Sequence, residues 1–247
     1  MNAQAAPRMA SRTQKSASVS KQDIVQVAAQ LLAEGGREAL TSRAVVAAAG
    51  VQVPTIYRQF GDMRGLLNEV ATYGFAEYLR LKAAGTLGSD PVENLRQGWD
   101  LHVQFGLDHP AIYTLIYGDP DPEAPFTAAV QAQAVLHGLV QAIAEAGRLR
   151  VDVTCAAQMV HAAGCGTTLT LLALRPEQRD LTCSALTRDA VLAAITTPLD
   201  EPTTAQRSQV ANRAVTLKAA LPEVTTLTPG ERTLLGEWLD KLSRAEK

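Results

Sequence analysis

An all-α fold is what this sequence predicts, and three observations predict it. Apolar residues recur at helical rather than alternating spacing along most of the chain. Cap residues, prolines and glycines stand at the ends of those periodic runs, where helices start and stop. Aromatic residues make up only 4% of the 247 residues, whereas strands draw on aromatic and β-branched side chains. The 47% of hydrophobic residues suffices for a folded core and excludes a largely disordered chain.

Residues 1–19 hold Ala, Ser, Gln and basic residues with no apolar periodicity. They read as a disordered basic tail carrying Arg8, Arg12 and Lys15. Ser20 is the expected N-cap of a first helix with Ile24, Val27, Ala28, Leu31 and Leu32 on one face, ended by Gly35-Gly36. Thr41 or Ser42 caps a short second helix bearing Val45, Val46 and Ala49, which Gly50 stops. A third short helix runs to about Gln59, and Asp62 caps a long fourth from Met63 to about Ala84. After a loop, Asp90-Pro91-Val92-Glu93 opens a helix to about His109, and Pro110 opens another through Tyr117. Further helices are expected at about 124–147, 152–174 (capped by Asp152), 184–196, 205–220 and 229–243, the last opening on Thr228-Pro229-Gly230-Glu231. No alternating run has the bounds of a strand, and no internal repeat is visible.

Charge is unevenly placed. Residues 1–64 carry net +4 and the remainder net −6, so a basic head sits on an acidic body, as suits a protein that sets one end against a polyanion. Cys155, Cys165 and Cys183 show no metal-ligand spacing and read as reduced, mostly buried thiols of a soluble, cytoplasmic protein. The first twenty residues lack a signal peptide's apolar run, and no apolar stretch reaches the ~18 residues of a membrane span.

Residues 20–67 are the informative segment. Three helices fall within about forty residues, the second and third joined by a turn on Gly50, which is the helix-turn-helix layout. The string from Thr41 to Asp62 resembles the TetR family of bacterial regulators. Thr41 starts the second helix, Ala49-Gly50-Val51 makes the turn, and Thr55, Ile56, Tyr57, Arg58 and Phe60 follow in the family's order, with Leu66-Leu67 on the next helix. Gly50 supplies the positive φ of a tight turn, and Val51, Ile56 and Phe60 fill the small core.

The resemblance implies that Thr41, Arg43, Tyr57 and Gln59 position DNA phosphates, while Gln52, Val53, Pro54, Thr55 and Arg58 meet base edges. Ser42 lies in the same segment and is counted with this DNA-binding set. Two positions depart from the family. Met63 stands where a phosphate-anchoring Lys is usual, and Arg64 is the substitute the sequence offers, pointing in a different direction. Gln52-Val53-Pro54 replaces more polar residues, which favours thymine-methyl contacts and weakens attraction to the backbone.

Beyond residue 67 the resemblance is architectural. It implies a helical domain, 67–247, with a small-molecule pocket and a homodimer interface, behind a DNA-binding domain at 20–66. The helix at 152–174, with Gly164 and Gly166, is the candidate interface together with that at 184–196; packing of these glycines within one subunit is the alternative. Trp99, His102, Phe105, Tyr113, Tyr117, His137, Met159 and His161 are the candidate pocket residues, each of them also readable as ordinary core. Asp119, Asp121 and Glu123 are turn chemistry in a Gly-Asp-Pro-Asp-Pro run rather than a metal site.

No cofactor is implied. An all-α enzyme competes as a reading, but no nucleophile–base pair, phosphate loop or metal cluster supports it. A helical ligand-binding or interaction protein with a silent helix-turn-helix is the remaining alternative. The expectation is a repressor that a small molecule releases from a pseudo-palindromic operator.

Overall fold

The computed structural model describes residues 19–84, 88–118, 121–197 and 206–244, which form eleven α-helices and no strand. In chain order these are α1 (Lys21–Ala39), α2 (Ser42–Ala49), α3 (Val53–Phe60), α4 (Met63–Ala84), α5 (Pro91–Asp108), α6 (Pro110–Tyr117), α7 (Thr127–Glu145), α8 (Val153–Leu172), α9 (Leu181–Ile195), α10 (Gln206–Ala220) and α11 (Pro229–Arg244). Arg8, Arg12, Lys15 and Asp119, on which sequence expectations rested, lie outside the described residues.

Local chemistry sets most boundaries where the sequence places them. Ser20 and Asp23 form a reciprocal capping box, and Thr41, rather than Ser42, caps α2 by accepting from the Ala44 amide at 3.1 Å. Three boundaries differ. Gly36 turns into the left-handed region (φ 68°), yet a further turn follows it to Ala39, so the glycine kinks α1 rather than ending it. The helix expected from 124 begins at Thr127, because the Asn68 side chain of α4 accepts from the Thr127 amide at 2.8 Å and so caps it from another helix. α9 starts three residues early, at Leu181, because Asp180 accepts from the Thr182 amide at 2.8 Å.

Two large clusters make the core. The first joins Ile24, Leu32, Val45 and Ile56 of the head to Leu66, Val70 and Phe75 of α4 and Tyr113 and Ile116 of α6. The second joins Trp99, Val140, Ile143, Val160 and Ile195 in the body. α4 is therefore common property of head and body, and α6 packs on both α1 and α4. α9 is held on α5 by Arg188 paired with Asp100, Arg96 paired with Asp189, and Trp99 Nε1 donating to Ser184 Oγ at 3.1 Å in the interior.

Asp90 caps α5 through the Val92 amide at 2.9 Å and pairs with Arg148 Nη1 at 2.6 Å, tying α5 to the bridge Leu149–Thr196. Asp90→Ala is expected to cost about 1–2 kcal/mol, read by urea denaturation, the helix cap supplying most of it. An unchanged midpoint would show the cap to be idle.

Candidate nucleic-acid interface and interior cavity

The turn between α2 and α3 is built from backbone. Gly50 adopts φ 64°, its amide donates to Val46 O, and the Val51 amide donates to the same carbonyl at 3.1 Å. Val45 and Ile56 are buried beneath it, with Val51 and Phe60 half-buried at the sides. This leaves one apron of exposed residues: the caps Thr41 and Gln52, Arg43 on α2, and Val53, Pro54, Tyr57 and Arg58 on α3. Tyr57 is 53% exposed and Val53 42%, so the apron presents an aromatic and an aliphatic side chain beside its polar ones. Thr55 is half-buried beside them.

Three members of the expected set sit differently. Ser42 is half-buried and its hydroxyl donates to Met63 Sδ at 3.5 Å, so the pair locks α2 to α4. Gln59 is half-buried, and its Oε1 is buried with no hydrogen-bond partner. Arg64 leaves the apron altogether: its guanidinium bonds the Ala124 carbonyl, pairs with Asp121 at 3.4 Å and lies 4.8 Å over the Phe126 ring. A carboxylate, a carbonyl and a ring on the body outcompete solvent for that cation, so the substitution offered for a lysine at Met63 does not stand on the α2–α3 face.

In the body, a cavity opens among α4, α5, α6, α7 and α8, with about 460 Å³ of unfilled space counting its open side. Tyr78, Leu95, Gly98, Trp99, His102, Tyr117, Ala132, Leu136, Leu139, Val160, His161 and Gly164 line it. Four of the eight residues singled out from sequence are brought together there: Trp99, His102, Tyr117 and His161. Tyr113 stands just behind, its hydroxyl 2.8 Å from His102 Nε2. Phe105 instead packs on Phe75 and Tyr78, with ring centroids 5.2 and 4.9 Å away. His137 and Met159 are each one position away from a lining residue, Leu136 and Val160, and one helical step of about 100° turns them out of the cavity. His137 faces a groove with Lys218 and Asp240 instead.

Sequence reasoning missed the apolar lining. Leu95 and Gly98 precede Trp99 and His102 at helical spacing and were recoverable by extending that stripe. Tyr78, Ala132 and Leu139 carry no local signal.

Phenols, a thiol and two imidazoles make the polar end of the cavity. Burial pushes the Tyr78, Tyr113 and Tyr117 phenols far above the ordinary tyrosine range, with the Cys165 sulfur adding to each. Burial likewise raises the Cys165 thiol and lowers His161. Cys165 Sγ lies 3.7 Å from His161 Nδ1 and 4.0 Å from His102 Nε2. Tyr117 Oη is buried with no hydrogen-bond partner, which costs about 1–3 kcal/mol relative to a satisfied hydroxyl.

Residues 24–70 match the family model of bacterial regulatory proteins, tetR family. No curated protein sequence matches the chain. Among solved structures, the fold is similar to that of a tetR family transcription regulator from Shewanella sp. PV-4 (TM-score 0.56, 17% identity, covering 72% of this chain and 98% of that one). A transcriptional regulator from Vibrio parahaemolyticus is similar at TM-score 0.52 and 22% identity, covering 72% and 99%. A TetR variant from Acinetobacter baumannii AYE, in complex with minocycline, is similar at 0.51 and 21%, covering 71% and 95%.

Proposed function

By its N-terminal unit the chain belongs to the tetR family of bacterial DNA-binding transcription regulators, and from that premise we propose a homodimeric repressor that a small molecule releases from a pseudo-palindromic operator. The observation that carries the reading is the exposed apron of α2 and α3, seated on a helix that runs on into the cavity. Arg43, Tyr57 and Thr41 hold phosphates in this account, with Gln59 at the edge. Gln52, Val53, Pro54, Thr55 and Arg58 face base edges, and Ser42 braces α2.

Dimerisation is assigned to α8 and α9. α9 leaves Cys183, Leu186, Ala190 and Ala194 exposed at helical spacing, with Leu186 65% exposed. The Cys183 thiol is thus not buried as the sequence suggested, and Cys155 and Cys165 are only half-buried. α8 leaves Ala162, Gly166 and Thr170 exposed, and the space above Gly166 is open. Small and apolar residues in register suit close packing of two helix pairs.

Release follows from connectivity. Tyr78 of α4 and Tyr117 of α6 both line the cavity, while the other side of α6 packs on α1 and α4. A ligand that shifts α6 therefore tilts the head and alters the separation of two recognition helices, which must stand about one DNA turn apart. Only a ligand with different affinity for the two arrangements does this, and tenfold release needs about 1.4 kcal/mol of coupling.

The test is fluorescence anisotropy on labelled duplex over a salt series. Arg43→Ala and Tyr57→Phe are each expected to weaken binding to all sequences, and Arg43→Ala to lower the salt slope by roughly one unit. Unchanged affinity in both variants would support the silent helix-turn-helix instead.

A further inference from the structure

The cavity's chemistry narrows what it accepts, on the reading that the cavity is the effector site. None of its lining residues is Asp, Glu, Lys or Arg. A buried ion would find no carboxylate, ammonium or guanidinium to pair with there, and desolvating it without such a partner is costly. The walls are leucines, Val160 and the rings of Trp99, Tyr78 and Tyr117. Ring centroids of Tyr117 lie 5.7 Å from His102, 4.7 Å from Tyr113 and 5.9 Å from His161, so the polar end is a nest of aromatic rings. Within it the His102–Tyr113 pair satisfies itself, whereas the Tyr117 hydroxyl has no hydrogen-bond partner.

We propose that the cavity receives an uncharged, flat aromatic molecule bearing one oxygen acceptor, as in a phenol or an aryl ketone, with Tyr117 Oη donating to that oxygen. The ring system stacks among the aromatic walls and the leucines of α7. Water does not reach Oη in the described conformation. Seating an oxygen on it therefore requires Tyr117 to shift, and α6, which carries it, also packs on α1 and α4. Ligand class and release of the head are thus joined at one residue.

Four probes of one skeleton test this on the full chain by ligand-observed NMR titration at neutral pH: naphthalene, naphthol, naphthoate and naphthylmethylammonium. Naphthol is expected to bind about tenfold more tightly than naphthalene, the size of one hydrogen bond, and the two ions at least tenfold more weakly than naphthol. Tyr117→Phe keeps the ring and is expected to fold normally and to bind naphthol and naphthalene alike. Ala132→Phe fills the cavity and should abolish binding of both. If an ion binds as tightly as naphthol, or the preference for naphthol survives Tyr117→Phe, the proposed chemistry is wrong while the cavity remains a binding site. If no probe binds, or Ala132→Phe leaves binding unchanged, the effector-site reading itself falls along with it.

Discussion

Leu186→Glu should yield a monomer that still folds and binds operator DNA about 10²–10⁴-fold more weakly than the parent chain. Leu186 is the most exposed large apolar side chain of the described residues, at 65%. The side chain lies outside the two large core clusters, so glutamate there removes no packing within the subunit. α9 itself stays anchored to α5 by Arg188–Asp100, Arg96–Asp189 and the Trp99–Ser184 bond. In the proposed dimer, however, two glutamates would enter an apolar seam of alanines without partners. With the seam broken, each recognition helix binds its half-site alone, and the gain from linking two heads is lost. Sedimentation gives the oligomeric state and anisotropy the affinity. A variant that remains dimeric would move the interface elsewhere.

Gly65→Ala is expected to destabilise the protein by about 2–3 kcal/mol and to weaken DNA binding more than that loss of folded protein explains. A β-carbon at Gly65 would lie 1.9 Å from the Phe60 carbonyl oxygen, and this neighbour is backbone that no rotamer change can clear. The Gly65 amide is also fixed, donating to Asp62 Oδ1 at 2.7 Å, so the turn between α3 and α4 must open. Opening it moves the recognition helix relative to α4. Gly138 of α7 provides the contrast: it is helical and exposed, with nothing near an added β-carbon, so Gly138→Ala should stabilise by up to about 1 kcal/mol. Urea denaturation of the two variants should therefore show opposite signs. A neutral Gly65→Ala would contradict the description of this turn.

The head was legible because its determinants are local. The Gly50 turn, the Thr41 and Asp62 caps and the burial of Ile56 each depend on neighbours within a few positions. The partners of Arg64 were not legible because the groups that hold it, Asp121 and Ala124, lie some sixty positions along the chain. The start of α7 was missed for the same reason, its cap being Asn68 of another helix. Cavity residues depend on how each helix is rotated about its axis, and neighbours in sequence then part company. Leu136 lines the space while His137 does not, and Val160 does while Met159 does not. Aromatic and polarisable residues were a fair guide to the polar end, where Trp99, His102, Tyr117 and His161 gather, but no guide to the aliphatic wall.

Selection of bound duplexes from a random pool by the full chain, beside the Arg43→Ala/Tyr57→Phe double variant, tests the central claim most directly. The account predicts enrichment by the parent chain of an inverted repeat whose half-site centres lie about one DNA turn apart or at a related spacing. The double variant should lose that enrichment while keeping the parent's melting temperature. No enriched sequence, or one the double variant retains in full, would contradict a DNA-binding regulator acting through α2 and α3.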